Sequence, residues 1–247
     1  MKTLFDFCPN DLDQLARHFK PWCDWNPYYT STKCWFEYWG CPKGSVFWLN
    51  QGLNTHLDHI ELTCEPLDNF MILRSGQPDE LILTHQAAQL VGRTPIRNGR
   101  LTVDADLCLD DEDSDEFTKA IWFLSETRKE TRKCHADFGK ETILPEWDPF
   151  ETNTPGHKGE MSSSIITQYD PFRAHGIRKR PMNDYKGRQE FVSTFLNGWV
   201  WTNFGGLTYR CPITRFYPIL WVAVCGHQEA KGMSARVKIY NIKMEEF

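Results

Sequence analysis

None of the nine cysteines in this 247-residue chain forms a C-x-x-C pair, so the sequence encodes neither a zinc knuckle nor a dithiol redox motif. They are scattered (8, 23, 34, 41, 64, 108, 134, 211, 225) and odd in number, the pattern of small, buried, reduced residues rather than of a disulfide framework. No window approaches the roughly 18 apolar residues of a membrane-spanning helix. The opening stretch MKTLFDFCPNDLDQL lacks the apolar core of a signal peptide. These absences set the expectation of a cytoplasmic protein, or of a secreted one if the sequence is a processed form. Positive charge is not in excess either: 28 Lys and Arg stand against 33 Asp and Glu, a net charge of −5. That balance offers no general attraction to nucleic acid or to an anionic membrane, and neither is expected as a partner. No repeat of fixed period is present.

Aromatic side chains, by contrast, are plentiful, with ten Trp among them. Their usual use beyond core filling is at recognition surfaces. β signals dominate after the first twenty residues. Candidate strands are 33–39, 45–50, 58–64, 69–74, 80–84, 100–108, 118–124, 163–169, 189–196, 199–204, 218–225 and 234–243. All are short, β-branched or aromatic, and separated by Gly, Pro, Asn and Asp. One helix is expected from a cap at Asn10 or Asp11 to just before Pro21, and HQAAQLV (85–91) is the other candidate. Residues 125–187 are polar and rich in charge, Pro and Gly, and are read as long insertions between strands. The expectation is an all-β, two-sheet antiparallel sandwich in a single domain, 1–247, with one or two short helices.

The C-terminal third carries the most specific pattern. EFVSTFLNGWVW (190–201) is a strand, an Asn197-Gly198 turn and a second strand, and Asn-Gly supplies the two positive-φ positions of a type I′ hairpin. RFYPILWVAVCG and the closing SARVKIYNIKMEEF follow. Over about 60 residues, 188 to 247, this order resembles the concanavalin A-like jelly-roll superfamily of lectins, laminin-G-like modules, glucanases and polysaccharide lyases. SPRY interaction modules share the sandwich and a similar F-x-N-G. The resemblance implies two antiparallel sheets face to face, one often curved into a groove, with ligand carried by the concave sheet or its rim loops. The glucanase branch uses a paired-Glu motif, E-x-D-x-x-E, on one strand. The acidic DEDSDEF (111–117) differs from it in spacing and flanks, and the chain is read here as lacking the motif.

Several constellations are candidates for chemistry. In CWFEYWG (34–40) a strand would place Trp35, Glu37 and Trp39 on one face. There the indoles can stack on sugar rings, with Glu37 as hydroxyl partner, acid or base; a two-sided buried strand is the alternative. Trp199 and Trp201, with Asn203 on the same side, repeat the arrangement. FRAHGIRKRPMNDYKGR (172–188) brings Arg173, Arg178 and Arg180 together with His175 and Tyr185. Guanidinium forks suit uronate or sulfate groups, and a lyase would use His175 or Tyr185 to move a proton; a solvated charged loop is the alternative. HLDH would place His56 and Asp58 on one strand face and His59 on the other, unless the segment turns; the chain offers no clear partner motif to complete the three or four convergent ligands that zinc needs, so no metal site is expected. Asp111, Asp113 and Asp115 begin like a calcium loop, but Glu116 and Trp122 stand where such a loop needs Gly and a terminal Glu. No cofactor is expected beyond an irregular structural calcium.

Two functions follow. One is a carbohydrate-binding or carbohydrate-processing protein with a jelly-roll groove, acting on an acidic polysaccharide and, if an enzyme, a glycoside hydrolase or polysaccharide lyase; its partner is a glycan. The other is a non-enzymatic protein–protein interaction module, SPRY-like or of viral or effector type, whose loops bind a protein partner.

Overall fold

The computed structural model describes residues 1–21, 53–73, 81–86, 88–111, 118–125, 146–153, 158–169, 172–204, 208–210, 216–223 and 234–247. The expected strands 33–39 and 45–50, and with them Trp35, Glu37 and Trp39, lie outside the described residues.

Two antiparallel sheets account for the strands. The first runs β14 (Thr208–Arg210), β13 (Trp199–Thr202), β12 (Arg188–Leu196), β7 (Gly99–Asp106), β16 (Ala235–Glu246), β4 (Ile60–Leu73) and β3 (Leu53–Thr55), with β1 (Lys2–Phe7) beside β16 and β5 (Leu81–Gln86) beside β4. The second runs β11 (Phe172–Pro181), β10 (Glu160–Tyr169), β9 (Glu146–Thr152), β8 (Thr118–Ser125), β15 (Phe216–Ala223), β6 (Ala88–Gly92) and β2 (Phe19–Pro21). Alternation along β7 buries Leu101, Val103 and Ala105 and leaves Arg100, Thr102 and Asp104 half-exposed, as a strand with one buried face requires. The sheets meet through aromatic rings: Phe195 of β12 stands edge-on to Phe123 of β8 at 4.9 Å and to Trp147 of β9 at 4.7 Å, and Phe191 meets Phe150 of β9 at 5.0 Å. Edge-to-face pairs at these separations are favourable beyond their area alone.

The expected hairpin is present. Asn197 and Gly198 take φ of 51° and 80°, and Leu196 pairs with Trp199. The one described α-helix, α1 (Leu12–His18), begins at Asp11, whose carboxylate accepts the Gln14 N–H at 3.1 Å, the expected cap. Three expectations are corrected. HQAAQLV is not a helix: it contributes to β5 and β6, and β6 pairs with β15 and β2. The separate runs 58–64 and 69–74 belong to one strand, β4, preceded by a turn that includes Asp58 and His59. The span 125–187 is not only loop: β9, β10, β11 and a 3-10 turn (Met182–Tyr185) lie in it.

Lys119 of β8 has no exposed surface. Its Nζ donates to the carbonyls of Leu107 at 2.5 Å and Cys108 at 3.1 Å, tying the second sheet to the end of β7. Burial pulls its pKa from 10.5 down to about 8. Between those two values the unfolded chain holds the proton more fully than the folded one, so this group makes stability rise with pH across that window and adds no slope below it. Lys119→Met is expected to remove the rise. Urea midpoints of wild type and variant, compared near neutrality and near pH 10, check this; parallel profiles would contradict it.

Candidate active site

The strand β9 reads Glu146-Trp147-Asp148-Pro149-Phe150-Glu151-Thr152, and its first six residues spell E-x-D-x-x-E. The expectation that the chain lacks this motif is therefore overturned, and the structure explains why its spacing works. Regular alternation would place positions 146 and 148 on one side of the sheet and 151 on the other. Against β8, Ile121 pairs with Phe150 and Phe123 with Trp147, so two steps of β8 match three of β9. Against β10, Ser162 pairs with Glu151 and Ser164 with Asp148, again two steps against three. β9 thus carries one extra residue relative to both neighbours, between Asp148 and Phe150. Such a bulge is also where proline is tolerated inside a sheet.

The bulge resets the alternation. Trp147 and Phe150 both point into the core, with the Trp147 ring 5.1 Å from Phe123 and the Phe150 ring against Phe191. Positions 146, 148 and 151 consequently share the opposite, outward side of the second sheet. Asp148 is only 2% exposed, and Glu151 is half-buried. Small residues surround them in register: Ser164 across from Asp148, Ala120 and Ser162 on either side of Glu151. The end of β9 is fixed by side-chain bonds. Thr152 Oγ1 accepts the Lys119 N–H at 2.8 Å, Ser162 Oγ donates to the Glu151 carbonyl at 3.3 Å, and Asn153 Oδ1 accepts the Gly159 N–H at 2.7 Å. Asp148 is therefore recessed and Glu151 half-buried on that side of β9, with position 146 in register on the same side. A carboxylic acid beside a carboxylate is the equipment of acid–base and nucleophilic chemistry at an acetal.

The residues singled out from sequence fall elsewhere. Trp199 and Trp201 stand on the outward side of β13, Trp199 exposed and Trp201 half-exposed, with Val200 and Thr202 buried between and after them. That is the outside of the first sheet, turned away from the outward side of the second, so these indoles and the β9 carboxyl groups do not line one cleft. Asn203 is held by backbone: its Oδ1 accepts the Val192 N–H at 3.1 Å and its Nδ2 donates to the Glu190 carbonyl at 2.8 Å. Arg173, His175, Arg178 and Arg180 lie on β11, at one end of the second sheet among the described strands and two strands from β9; Arg180 is exposed. Tyr185 packs on Phe204 at 5.3 Å, and burial raises its phenol pKa, the opposite of what a proton-abstracting base needs. Lys186 pairs with Asp110 at 2.6 Å and Arg188 with Asp104 at 2.6 Å, so the basic segment is partly neutralised. Asp111 is engaged by Arg236 through bonds of 2.9 and 3.1 Å; Asp113 and Asp115 lie outside the described residues.

No family model matches the sequence. No curated protein matches it either. Solved structures do. A LamA variant from Z. galactanivorans, in complex with laminaritriose and laminaritetraose, superposes with a TM-score of 0.61 at 12% identity over 99% of both chains. SCLam, a non-specific endo-beta-1,3(4)-glucanase from family GH16, gives 0.59 at 11% identity over 99% of this chain and 91% of that one. The kappa-carrageenase from Pseudoalteromonas carrageenovora, with an oligotetrasaccharide, gives 0.51 at 10% identity over 79% and 82%. Identities this low speak to architecture: the chain has the concanavalin A-like jelly-roll fold expected from its C-terminal third.

Proposed function

We propose that this protein is an endo-acting glycoside hydrolase whose catalytic pair is Glu146 and Glu151, with Asp148 between them. The observation that carries the reading is the bulge in β9, which turns an E-x-D-x-x-E run into three carboxyl positions on one side of the sheet. Support also comes from the fold shared with glycanases whose structures hold oligosaccharides.

The chemistry follows from two carboxyl groups flanking a glycosidic bond. One, protonated, gives its proton to the bridging oxygen as the C1–O bond breaks. The other either attacks C1, forming a glycosyl ester that water later hydrolyses, or takes a proton from a water that attacks C1 directly. Asp148, recessed between them, keeps a carboxyl group beside whichever neighbour must hold a proton. This assignment takes the catalytic role from Glu37, His175 and Tyr185, and a hydrolase replaces the lyase reading. An anionic polysaccharide remains the proposed substrate because Arg173, Arg178 and Arg180 share β11, two strands from β9 in the same sheet.

A reducing-end assay on a neutral β-glucan, a sulfated galactan and a polyuronate tests the reading. Release of oligosaccharides from the sulfated galactan is expected. Release from the neutral glucan alone would refute the anionic preference and keep the hydrolase; an unsaturated product absorbing in the ultraviolet would mark a lyase and sink the proposal.

A further inference from the structure

The hairpin between β3 and β4 gathers residues that the strand reading of HLDH kept apart. Thr55 pairs with Ile60, so residues 56–59 form the turn, closed by a 2.9 Å bond from the His56 N–H to the His59 carbonyl. The turn brings the two imidazoles into a stack, 4.3 Å between centroids and 8° between planes. Glu61, two residues beyond His59, joins them: one ligand atom from each of His56, His59 and Glu61 lies within 4.8 Å of the others.

We propose that His56, His59 and Glu61 form a site for a zinc-class divalent ion. The ligand set argues for this class: imidazole nitrogens with one carboxylate suit zinc and its neighbours, whereas calcium and magnesium take oxygen ligands almost exclusively. Around the three lies the support that metal ligands characteristically have. Asp58 Oδ1 is 2.8 Å from His59 Nδ1. With that carboxylate accepting from Nδ1, the lone pair is left on Nε2. Glu61 is steadied by Arg236, whose Nη1 donates to Oε2 at 3.3 Å while its other nitrogens hold Asp111. Oε1 has no other partner among the described residues. Tyr240 packs on His59 at 5.1 Å.

The turn itself is anchored from the N-terminal segment. Asn10 Nδ2 donates to the carbonyls of His56 at 3.1 Å and Leu57 at 2.5 Å, and Cys8 Sγ reaches the Asp58 carbonyl at 3.3 Å. Ligands around zinc at about 2.0–2.2 Å stand about 3.3 Å apart in a tetrahedron. The exposed His56 closes the remaining distance by rotating its side chain. With three protein ligands the fourth position falls to water. Because the site belongs to the first sheet and the β9 carboxyl groups to the second, its role is a clip that fastens the hairpin, and it stands independently of the proposed hydrolysis.

The test is calorimetric titration of the chelator-treated full chain with zinc chloride, and separately with calcium chloride. Wild type is expected to bind one zinc per chain and no calcium here. His56→Ala and Glu61→Gln should each weaken zinc at least about tenfold, and Asp58→Asn by about 10–100-fold through loss of the carboxylate that holds His59 Nδ1. His56 is exposed, so its variant keeps the fold and carries the test even if a His59 variant does not. Failure of wild type to bind zinc would overturn the proposal. Equal affinity in His56→Ala would overturn it too, because the zinc would then be held elsewhere.

Discussion

Glu146→Gln and Glu151→Gln are each expected to lower turnover on the responsive glycan by about 10²–10⁴-fold, the range that a positioned acid, base or nucleophile supplies. Gln keeps the size and the hydrogen-bonding outline of Glu but neither donates a proton as an acid nor attacks as a carboxylate. The amide therefore removes chemistry and spares the β9 ladder. Both positions sit on the outward side of the sheet, away from the Trp147 and Phe150 rings, so melting temperatures should stay close to wild type. A fall in kcat with KM preserved is the expected signature of an interaction made mainly in the transition state. Unchanged turnover in either variant removes that residue from the mechanism. Unfolding of both would mean that the carboxyl groups are structural.

Trp147→Ala is expected to cost about 3–5 kcal/mol of stability, as large-to-small aromatic deletions in cores do. Trp147 has no exposed surface and contacts Phe123 of its own sheet and Phe195 of the opposing one. Its loss opens a cavity where the two layers meet. A total stability of about 5–15 kcal/mol makes that a large share. The ring anchors β9 in the core, so activity should fall with it, while Trp147→Phe retains more of both. Urea denaturation gives the measurement; a loss under about 1 kcal/mol would show that the sheets do not depend on this contact.

These three residues stand on the strand that sequence reasoning missed, and the reason is physical. Pro149 inside EWDPFE breaks the hydrogen-bonding pattern of an ordinary central strand, and the charged, Gly- and Pro-rich flanks deepen the impression of loop. Only the pairing with β8 and β10 reveals the bulge that accommodates it. A search for acidic residues at i, i+2 and i+5 around an aromatic pair would have found it. HQAAQLV misled in the opposite direction: Ala, Gln and Leu favour helix, yet pairing with β15 and β2 decides, since tertiary context overrides propensity. HLDH left strand and turn both open because nothing local decides between them; Asn10 and Cys8 hold the turn from some 50 residues away.

What was legible was local. Asn197-Gly198 demands positive φ at both positions and has it. The alternation of RLTVDA and ARVKI survives as buried and half-exposed faces of β7 and β16. The jelly-roll architecture followed from that C-terminal pattern, whereas the placing of the tryptophans and the carboxyl groups on different sheets did not. Trp199 and Trp201 look alike in sequence whichever sheet they belong to, and only topology places them opposite β9.

Chemical rescue separates the two glutamates most directly. Alanine at the nucleophile position leaves space for azide to attack C1, and alanine at the acid–base position leaves a glycosyl-enzyme that azide can intercept. If Glu146 and Glu151 are a retaining pair, azide restores turnover of an activated glycoside in both Glu146→Ala and Glu151→Ala. One variant then yields a glycosyl azide of inverted configuration and the other a product of retained configuration. No rescue in either, with both proteins folded, would contradict the assignment of the β9 carboxyl groups as the catalytic pair.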